Sequence, residues 1–218
     1  MYKLIKRFLD ILIAGLAFII LLPILIPVMI ILKFTGEREI LYFQKRIGHK
    51  NKPFDIWKFA TMLKNSPSIG TGEITLRNDP RVMPFGSFLR KTKINELPQI
   101  FNVLKGDMSI VGPRPLMEVS FLQYEENIRK NIYNAKPGIT GIGSLIFRDE
   151  EKIISEAADP KLMYSKIFPF KGALEMWYQK NASVLTDFKI IFLTAWSIIF
   201  PENKLANTFF KDLPVRSF

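Results

Sequence analysis

An uncharged apolar run near the amino terminus is the feature that most constrains what this chain can fold into. Residues 11–32 contain no charged side chain, and Asp10 and Lys33 bound the run. A helix rises about 1.5 Å per residue, so a run of this length just reaches across the roughly 30 Å hydrocarbon core of a bilayer. The sequence therefore predicts a membrane-associated helix, followed by a more polar folded domain.

Two features of this run favour a helix that enters the membrane and returns. Pro23 and Pro27 lack an N–H, so each leaves a carbonyl one turn earlier without its helical partner, which predicts a break. Basic residues flank the run on both sides, so the positive-inside rule gives no asymmetry, as expected of a segment whose two ends both stay in the cytoplasm. They are Lys3, Lys6 and Arg7 before the run, and Lys33, Arg38, Lys45 and Arg46 after it. We predict a re-entrant helix–break–helix membrane segment over residues 1–35, with a single full transmembrane span as the alternative, and a compact cytoplasmic domain over residues 36–218.

The remainder of the chain predicts an α+β domain with many short helices. Residues 41–43 and 54–59 have the composition of short strands, joined by a basic turn over residues 48–53. Residues 65–79 are polar and predict a loop. Residues 184–200 form a second apolar stretch, which fits either an amphipathic helix at the membrane interface or a buried core helix.

Prolines mark the expected limits of several other helices. Pro84 and Pro98 are expected to interrupt helical pieces between residues 81 and 104. Residues 118–131 have helical spacing with a charged face, and a further helix is expected to begin near Pro169.

Composition limits the chemistry that the chain can perform. There is no cysteine and a single histidine, His49, which excludes disulfides, thiolate nucleophiles and His-rich metal centres. The formal net charge of +11 predicts an anionic partner, either phospholipid or a phosphorylated substrate; nucleic acid is not expected, because no motif for it is present. Catalysis would have to use carboxylates, Lys, Arg, backbone groups or a metal held by oxygen.

The densest run of chemically useful residues covers residues 89–115. Glu96 lies among several basic residues and should remain ionised. Arg114 stands between two prolines, which restrict the backbone and reduce the entropy lost when the guanidinium binds phosphate oxygens. Such a pattern suits a site where a divalent cation and a diphosphate meet. A surface helix with solvated ion pairs, followed by a tight turn, explains the same residues about equally well.

Several ordered motifs resemble one known family. They are Glu96-Leu97-Pro98-Gln99, Asn102-Val103-Leu104-Lys105-Gly106-Asp107-Met108-Ser109, Gly112-Pro113-Arg114-Pro115, Lys136-Pro137-Gly138-Ile139-Thr140-Gly141, Lys6-Arg7-Phe8-Leu9-Asp10 and Lys58-Phe59. Over essentially its whole length the chain resembles the bacterial sugar transferases, and specifically the small, single-domain monotopic phosphoglycosyl transferases. The resemblance implies a re-entrant membrane helix and an enzyme at the cytoplasmic face of the bacterial inner membrane.

The resemblance also implies a reaction and its site residues. A carboxylate attacks the β-phosphate of a UDP-sugar, UMP leaves, and polyprenyl (undecaprenyl) phosphate then takes the phosphosugar from the enzyme, with Mg²⁺ offsetting phosphate charge. This is the first membrane step of a bacterial surface glycan or glycoconjugate pathway, such as exopolysaccharide or lipopolysaccharide synthesis. The resemblance assigns Glu96 to catalysis and metal binding. It assigns Arg90, Arg114, Arg148 and, more weakly, Lys58 to phosphate binding. Contact with lipid headgroups is an equal alternative for Lys58 and Arg90.

One position departs from the family pattern. The family nucleophile is the Asp of an Asp-Glu pair, whereas this chain has Asn95 before Glu96. Three interpretations stay open. Glu96 is itself the nucleophile or metal ligand, with Asn95 donating hydrogen bonds to phosphate; a second carboxylate comes from Asp149-Glu150-Glu151; or the chain is a catalytically impaired membrane scaffold of a glycan assembly complex. The resemblance leaves room for a homo-oligomer and for downstream glycosyltransferases as partners.

Overall fold

Long and short helices surround two small sheets in the computed structural model, which describes residues 1–66, 79–148, 150–200 and 205–216. The helices are α1 (Tyr2–Phe34), α2 (Pro84–Lys91), α3 (Gln99–Lys105), α4 (Glu118–Phe121), α5 (Glu126–Asn131), α6 (Ile142–Ile146), α7 (Glu150–Ser155), α8 (Pro160–Asn181), α9 (Val184–Ile199) and α10 (Leu205–Phe209). The strands are β1 (Leu41–Ile47), β2 (Pro53–Phe59), β3 (Ser109–Val111) and β4 (Gly138–Thr140). This mixed architecture confirms the predicted combination of short helices and strands. The loop predicted over residues 65–79 lies almost entirely outside the described residues.

Strands β1 and β2 form the antiparallel hairpin that the sequence predicts. Their register runs from Leu41 opposite Phe59 to Ile47 opposite Pro53, so β1 is longer than expected. Strands β3 and β4 pair in parallel, with Val111 opposite Thr140. Because side chains alternate along a strand, every second residue of the hairpin faces the same side, and that face lines the site described below.

The side chain of Asn102 holds the hairpin against α3. This fully buried amide donates to the Asp55 carbonyl at 2.8 Å and accepts from the Trp57 N–H at 2.9 Å. The two bonds satisfy the free edge of β2 as a third strand would, because they pair with one carbonyl and one N–H of the same edge. Asn102 therefore holds β2 against α3 by hydrogen bonds, beside the contact between the rings of Trp57 and Phe101, whose centroids lie 5.5 Å apart.

Three predicted helix limits, at Pro84, Pro98 and Pro169, are wrong. Pro84 begins α2, and Pro98 immediately precedes α3, so these prolines start helices and do not interrupt them. The first turn of a helix tolerates proline because its N–H would have no partner there. Residues 118–131 divide into α4 and α5, and α8 begins at Pro160 and contains Pro169. Burial of neighbouring side chains such as Ile167 outweighs the hydrogen bond that Pro169 removes.

The amino-terminal apolar run forms one helix, where two helices around a break were predicted. Helix α1 continues through Pro23 and Pro27. Each proline removes one hydrogen bond of the helix, but the turns on either side keep their hydrogen bonds. Leu25, between the two prolines, and Val28, directly after Pro27, are also buried against the domain. Among the described residues, α1 is the one helix whose length and apolar composition would suffice to cross a membrane.

One face of α1 packs against the domain along nearly the whole helix. Near its start, Arg7 donates to the carbonyls of Val103 and Leu104 at the end of α3. Near its end, Leu32 lies in an apolar cluster with Phe59 and Leu89. The opposite face is exposed and apolar; its side chains include Leu4, Phe8, Ile11, Leu12, Leu16, Ile19, Ile20, Ile24, Ile26, Ile30, Ile31 and Phe34.

Polar groups buried beneath α1 fix its position. The carboxylate of Asp10 accepts hydrogen bonds from the Ser109 hydroxyl and the Ile110 N–H, both at 2.9 Å. One turn earlier, Lys6 lies 2.7 Å from the buried carboxylate of Asp187 on α9. A charged group costs several kcal/mol to bury without partners, so these bonds specify one docking position for the helix.

Helix α9 is amphipathic. Ile190 and Leu193 are buried in the domain core, whereas Phe188, Phe192 and Ile198 are exposed. Both alternatives predicted for residues 184–200 therefore apply. One face of α9 is buried in the core, and the other is an exposed apolar surface of the kind expected at a membrane interface. Because α9 contacts α1, the two helices present apolar side chains on neighbouring surfaces.

Replacing Asn102 with alanine should destabilise the fold by about 1–3 kcal/mol, because the Trp57 N–H and the Asp55 carbonyl would lose their partners inside the protein. The measurement is urea unfolding of the purified protein in detergent. Asn131→Ala is the matched control, since that amide makes only exposed local bonds, to Asn127 in the same helix and from Asn134 three residues later. Equal stability of the two variants would contradict the bracing role of Asn102.

Candidate active site

A narrow cleft between the hairpin, the α2–α3 connection and the segment after β3 brings charged side chains together. Its lining comprises Arg46, Ile56, Lys58, Glu96, Gln99, Arg114, Pro115, Gly138 and Ile139. Three of these residues are cations and one is an anion, so the cleft carries excess positive charge. Such a cleft suits a ligand with two or more negative charges.

The hairpin contributes Arg46 and Lys58 from one face. Arg46 lies opposite Phe54, and Lys58 lies opposite Tyr42. Residues directly opposite each other point to the same side of a sheet, as do residues two apart on one strand. The alternation along β1 and β2 thus places both basic side chains beside Ile56 in the cleft.

Glu96 ends a short 3-10 turn, Ile94–Glu96, between α2 and α3. The turn follows Lys93, whose backbone is left-handed with φ of 60°. The carboxylate Oε1 of Glu96 lies 3.3 Å from the Nζ of Lys58, and both side chains are mostly shielded from solvent. This ion pair joins the α2–α3 connection to the hairpin.

Arg114 is exposed, whereas the backbone around it is buried and held from several directions. The Gly138 N–H donates to the Pro113 carbonyl at 2.9 Å, and a Cβ on Gly112 would lie 2.2 Å from the Lys136 carbonyl oxygen. Glycine at position 112 is therefore required for this approach of two backbone segments. The exposed guanidinium of Arg114 is therefore carried by a backbone that is held in place.

Two buried side chains complete the support of Arg114. The hydroxyl of Tyr133 donates to the Arg114 carbonyl at 2.8 Å and accepts from the Leu116 N–H at 2.9 Å. The carboxylate of Glu175 on α8 accepts from the Arg114 N–H. A Cβ on Gly143 would lie 2.4 Å from the Glu175 Oε1, so the absence of a side chain there makes room for the carboxylate.

Burial and charge shift the pKa values of the groups in and behind the cleft. Burial alone would raise the pKa of Glu96, but the charges of Lys58 and Arg114 outweigh it and hold that pKa at about 2. Burial lowers the pKa of Lys58 to about 8, although Glu96 opposes this shift. Glu96 is therefore an anion at neutral pH, and Lys58 is a cation that loses its proton more readily than an ordinary lysine.

The floor of the cleft belongs to the apolar cluster on which α1 packs. Ile56 is buried in a cluster with Ala14, and Phe18 and Ile139 pack against the same cluster. Phe18 also contacts the ring of Phe101 on α3, with ring centroids 5.1 Å apart. The floor of the charged cleft and the apolar helix α1 therefore share one apolar cluster.

Comparison with known proteins places this arrangement in a family. The sequence profile described as bacterial sugar transferase matches residues 1–201. The chain belongs to the bacterial sugar transferase family. The motifs quoted above lie in the matched part, so the predicted membership is confirmed.

Curated relatives of this chain differ in length. The chain is 34% identical over 203 residues to the exopolysaccharide production protein ExoY of Sinorhizobium fredii, covering 87% of this chain and 83% of that protein. It is 33% identical to the UDP-N-acetylgalactosamine-undecaprenyl-phosphate N-acetylgalactosaminephosphotransferase of Aeromonas hydrophila and 35% identical to the UDP-glucose:undecaprenyl-phosphate glucose-1-phosphate transferase of Klebsiella pneumoniae. Those alignments cover 91% and 88% of this chain but 44% and 39% of the relatives. The chain therefore spans less than half of the length of these longer relatives.

Some of the site residues predicted from the sequence lie together in the cleft. Glu96, Arg114 and Lys58 lie in it. Arg90 does not line it; its guanidinium contacts the sulfur of Met62 at 3.7 Å. Arg148 is exposed after α6 and does not line it either.

Asn95 is adjacent to the cleft in sequence but is buried, and it is not part of the lining. Its side-chain oxygen has no hydrogen-bond partner among the described residues. Of the second-carboxylate candidates, Asp149 and the Glu151 side chain lie outside the described part. Glu150 lies 2.8 Å from Lys171, so it is already paired.

The sequence reasoning did not assign a role to four residues of this site: Arg46, Gln99, Tyr133 and Glu175. Arg46 could have been found, because two-residue alternation across the predicted hairpin puts it on the face of Lys58. Gln99 stands three residues after Glu96, on the next helical turn, and was quoted only as part of a motif. Nothing in the local sequence links Tyr133 or Glu175 to Arg114, since that contact exists only after the chain has folded.

Glu175→Gln should change how stability depends on pH. Burial raises the pKa of Glu175 from 4.5 to about 7, against the lowering effects of the Arg114 N–H and Lys171. The folded state therefore holds this proton more tightly than the unfolded state, and the resulting stabilisation is complete at low pH and lost as the pH rises to about 7. The free energy of unfolding of the variant should rise by up to about 3 kcal/mol relative to that of the wild type between about pH 5 and pH 8.

The measurement is denaturant unfolding in detergent at both pH values. Glu126→Gln is the control, because that carboxylate is exposed and pairs with Lys130 within α5. A difference in the free energy of unfolding between Glu175→Gln and wild type that stays constant with pH would contradict the raised pKa of Glu175.

Proposed function

We propose that this sugar transferase moves a sugar 1-phosphate from a UDP-sugar to polyprenyl phosphate, with undecaprenyl phosphate as the acceptor. The observation that carries the proposal is that the Lys58–Glu96–Arg114 cleft is floored by Ile56, a member of the apolar cluster to which Ala14 of the apolar helix α1 also belongs. A donor with a water-soluble diphosphate and an acceptor with a long apolar chain meet only at such a boundary. The names of the relatives from Aeromonas and Klebsiella support both substrates.

The charges of the cleft suit the proposed chemistry. Donor diphosphate and acceptor phosphate repel each other, and fixed cations in a partly dry site reduce that repulsion more than water does. The guanidinium of Arg114 forms two parallel hydrogen bonds to phosphate oxygens, which a lysine cannot. The product, a polyprenyl-diphosphate sugar, would begin a bacterial surface glycan, in keeping with the ExoY name.

We further propose Mg²⁺ as the cofactor, held by Glu96 together with diphosphate oxygens of the donor. Mg²⁺ in phosphate-transfer sites commonly uses one or two protein carboxylates, with substrate phosphates and water completing its coordination. One carboxylate in the described lining fits that pattern. Bound there, the ion would offset diphosphate charge as a Lewis acid.

We propose that both ends of α1 lie at the cytoplasmic face of the inner membrane and that its middle dips into one leaflet around Pro23 and Pro27. The support is that one domain contacts α1 both at Arg7 and at Leu32. A domain outside the lipid cannot reach both ends of a helix that crosses a core of roughly 30 Å. The exposed apolar face of α9 would lie at the same interface.

Arg114→Ala should lower kcat/KM by about 10²–10³, the usual effect of removing one preorganised donor to a developing charge. The assay follows UMP release by protein in nanodiscs, with undecaprenyl phosphate and a panel of UDP-glucose, UDP-galactose and UDP-N-acetylgalactosamine. Arg114→Lys should recover part of the loss, because it restores the charge without the paired hydrogen bonds.

Lys45→Ala is the matched control. Lys45 is exposed on the same hairpin, pairs only loosely with Asp55 at 3.5 Å, and should keep activity within about twofold. Wild-type protein that releases no UMP with any donor would contradict the proposed activity and favour the scaffold interpretation, for which the observation is Asn95.

Cysteine labelling tests the path of α1. The chain has no cysteine, so Lys3→Cys and Glu37→Cys each introduce a single exposed thiol at either end of the helix. A membrane-impermeant maleimide should label neither thiol in intact spheroplasts and both in inverted vesicles. Labelling of one thiol from each side would show a full span and contradict the proposal.

A further inference from the structure

The hairpin of β1 and β2 has two chemically different faces. Arg46 and Lys58 line the cleft from one face. Side chains alternate along a strand, so Phe43 and Trp57 point to the opposite face. These two residues lie directly opposite each other in the register, and their rings meet edge to face with centroids 5.2 Å apart. The proposed reaction uses the charged face and gives the aromatic face no role.

Ring contacts continue from the aromatic face to helix α1. Trp57 contacts Phe101 on α3, with centroids 5.5 Å apart, and Phe101 in turn contacts Phe18 on α1 at 5.1 Å. Phe43, Trp57, Phe101 and Phe18 thus form one aromatic row from β1 to α1. Phe43 is 49% exposed and the other three side chains are partly exposed, so the row reaches the surface. A connected run of exposed apolar side chains marks a contact with lipid or with another protein.

The α1 end of the aromatic row adjoins the exposed apolar face of that helix. Ile11 lies two turns before Phe18 on the same side of the helix and is 46% exposed. Ile19, the next residue after Phe18, is 65% exposed. Among the described helices, α1 is the one long and apolar enough to cross a membrane. The lipid that covers α1 in its proposed path therefore reaches the end of the row without a polar gap.

A second contact turns the aromatic face of the hairpin towards α1. Leu41 and Phe59 lie opposite each other, and alternation places them on the same face as Phe43 and Trp57. Phe59 belongs to the apolar cluster that contains Leu32 of α1, and Leu41 packs against that cluster. The aromatic face therefore lies on the side of the protein that carries the apolar helix.

We infer that the aromatic row is a membrane-contact surface and that the rings of Phe43 and Trp57 lie at the boundary between lipid headgroups and acyl chains. Aromatic rings concentrate at this depth of a bilayer, and tryptophan does so most clearly because its ring is apolar and its N–H is polar. The inference rests on the proposed membrane path of α1. It does not depend on which sugar or acceptor the protein uses.

The polar border of this surface makes the contact shallow. The next cross-strand pair on the aromatic face is Lys45 and Asp55, whose charged side chains are both exposed. Charged groups are costly to place in hydrocarbon, so the contact ends before this pair. The hairpin therefore rests on the bilayer surface and does not insert along its length.

Contact on the aromatic face has a consequence for the cleft. With Phe43 and Trp57 in the lipid boundary, alternation points Arg46 and Lys58 of the same strands away from the acyl chains. The two cations then stay in the polar cleft, where they remain available to phosphate groups. The hairpin would hold the cleft at a fixed height above the membrane, as a second support beside α1.

Site-directed spin labelling tests the inference on the whole chain, reconstituted in vesicles of phosphatidylcholine and phosphatidylglycerol. The chain has no cysteine, so Phe43→Cys, Tyr42→Cys and Ile20→Cys each provide a single label position. Tyr42 is the matched control, because it is the adjacent residue of β1, is 38% exposed and points to the cleft face. Ile20, which is 71% exposed on α1, is the reference for a position in lipid. Electron paramagnetic resonance measures the collisions of each label with oxygen and with a water-soluble nickel chelate.

The label at position 43 should collide more with oxygen and less with the nickel chelate than the label at position 42, at a depth of about 5–10 Å into the headgroup region. Equal nickel collisions at positions 42 and 43, with position 20 in lipid, would overturn the inference and leave the proposed path of α1 standing. A label in water at position 20 would remove both. Protection of position 43 from both reagents would show protein in place of lipid, with spin–spin broadening if the cover is a second copy, and would also overturn the inference.

Tryptophan fluorescence gives a second measurement that needs no label. Trp57→Phe keeps a ring beside Phe101 and keeps the backbone N–H that Asn102 accepts. The difference in emission between wild type and this variant is the emission of Trp57, free of the other two tryptophans. Phosphatidylcholine brominated on its acyl chains should quench this difference relative to unbrominated lipid. An equal difference in the two lipids would overturn the inference.

Discussion

The ion pair between Lys58 and Glu96 is the interaction on which the rest of the site depends. It links the hairpin to the connection between α2 and α3, where Ile94 and Leu97 also pack against the apolar cluster that contains Phe59. Without Lys58, Glu96 would face Arg114 as its main cation, and without Glu96 the cleft would hold three cations with no anion. Like charges held this close repel strongly in a partly dry site, so the carboxylate is needed to assemble the cations.

The apolar helix and the charged cleft form one structural unit. Ala14 and Phe18 of α1 pack on the cluster that contains Ile56, and Ile56 also lines the cleft. Any shift of α1 in the membrane would therefore disturb the apolar cluster that includes the floor of the site. The buried bonds of Asp10 and Lys6 limit such shifts, because breaking them would leave charges unpaired inside the protein.

Local patterns predicted the local parts of this structure. The hairpin followed from strand composition around a basic turn, and α9 followed from apolar spacing. Proline was misjudged in both directions: Pro84 starts a helix that it was expected to interrupt, and Pro169 lies inside a helix that it was expected to start. Arg114 was found through its motif, but its supports were not. Tyr133 and Glu175 lie on distant segments, and tertiary packing alone brings them to the Arg114 backbone.

Asn95 leaves the excess positive charge of the cleft intact. A second carboxylate beside Glu96 would add negative charge where two phosphate-bearing substrates must meet in the proposed reaction. A neutral amide of nearly the same shape as aspartate adds no such charge, and it is buried outside the lining to which Arg46, Lys58 and Arg114 belong. Asn95 therefore preserves the charge arrangement on which the proposed phosphate transfer depends.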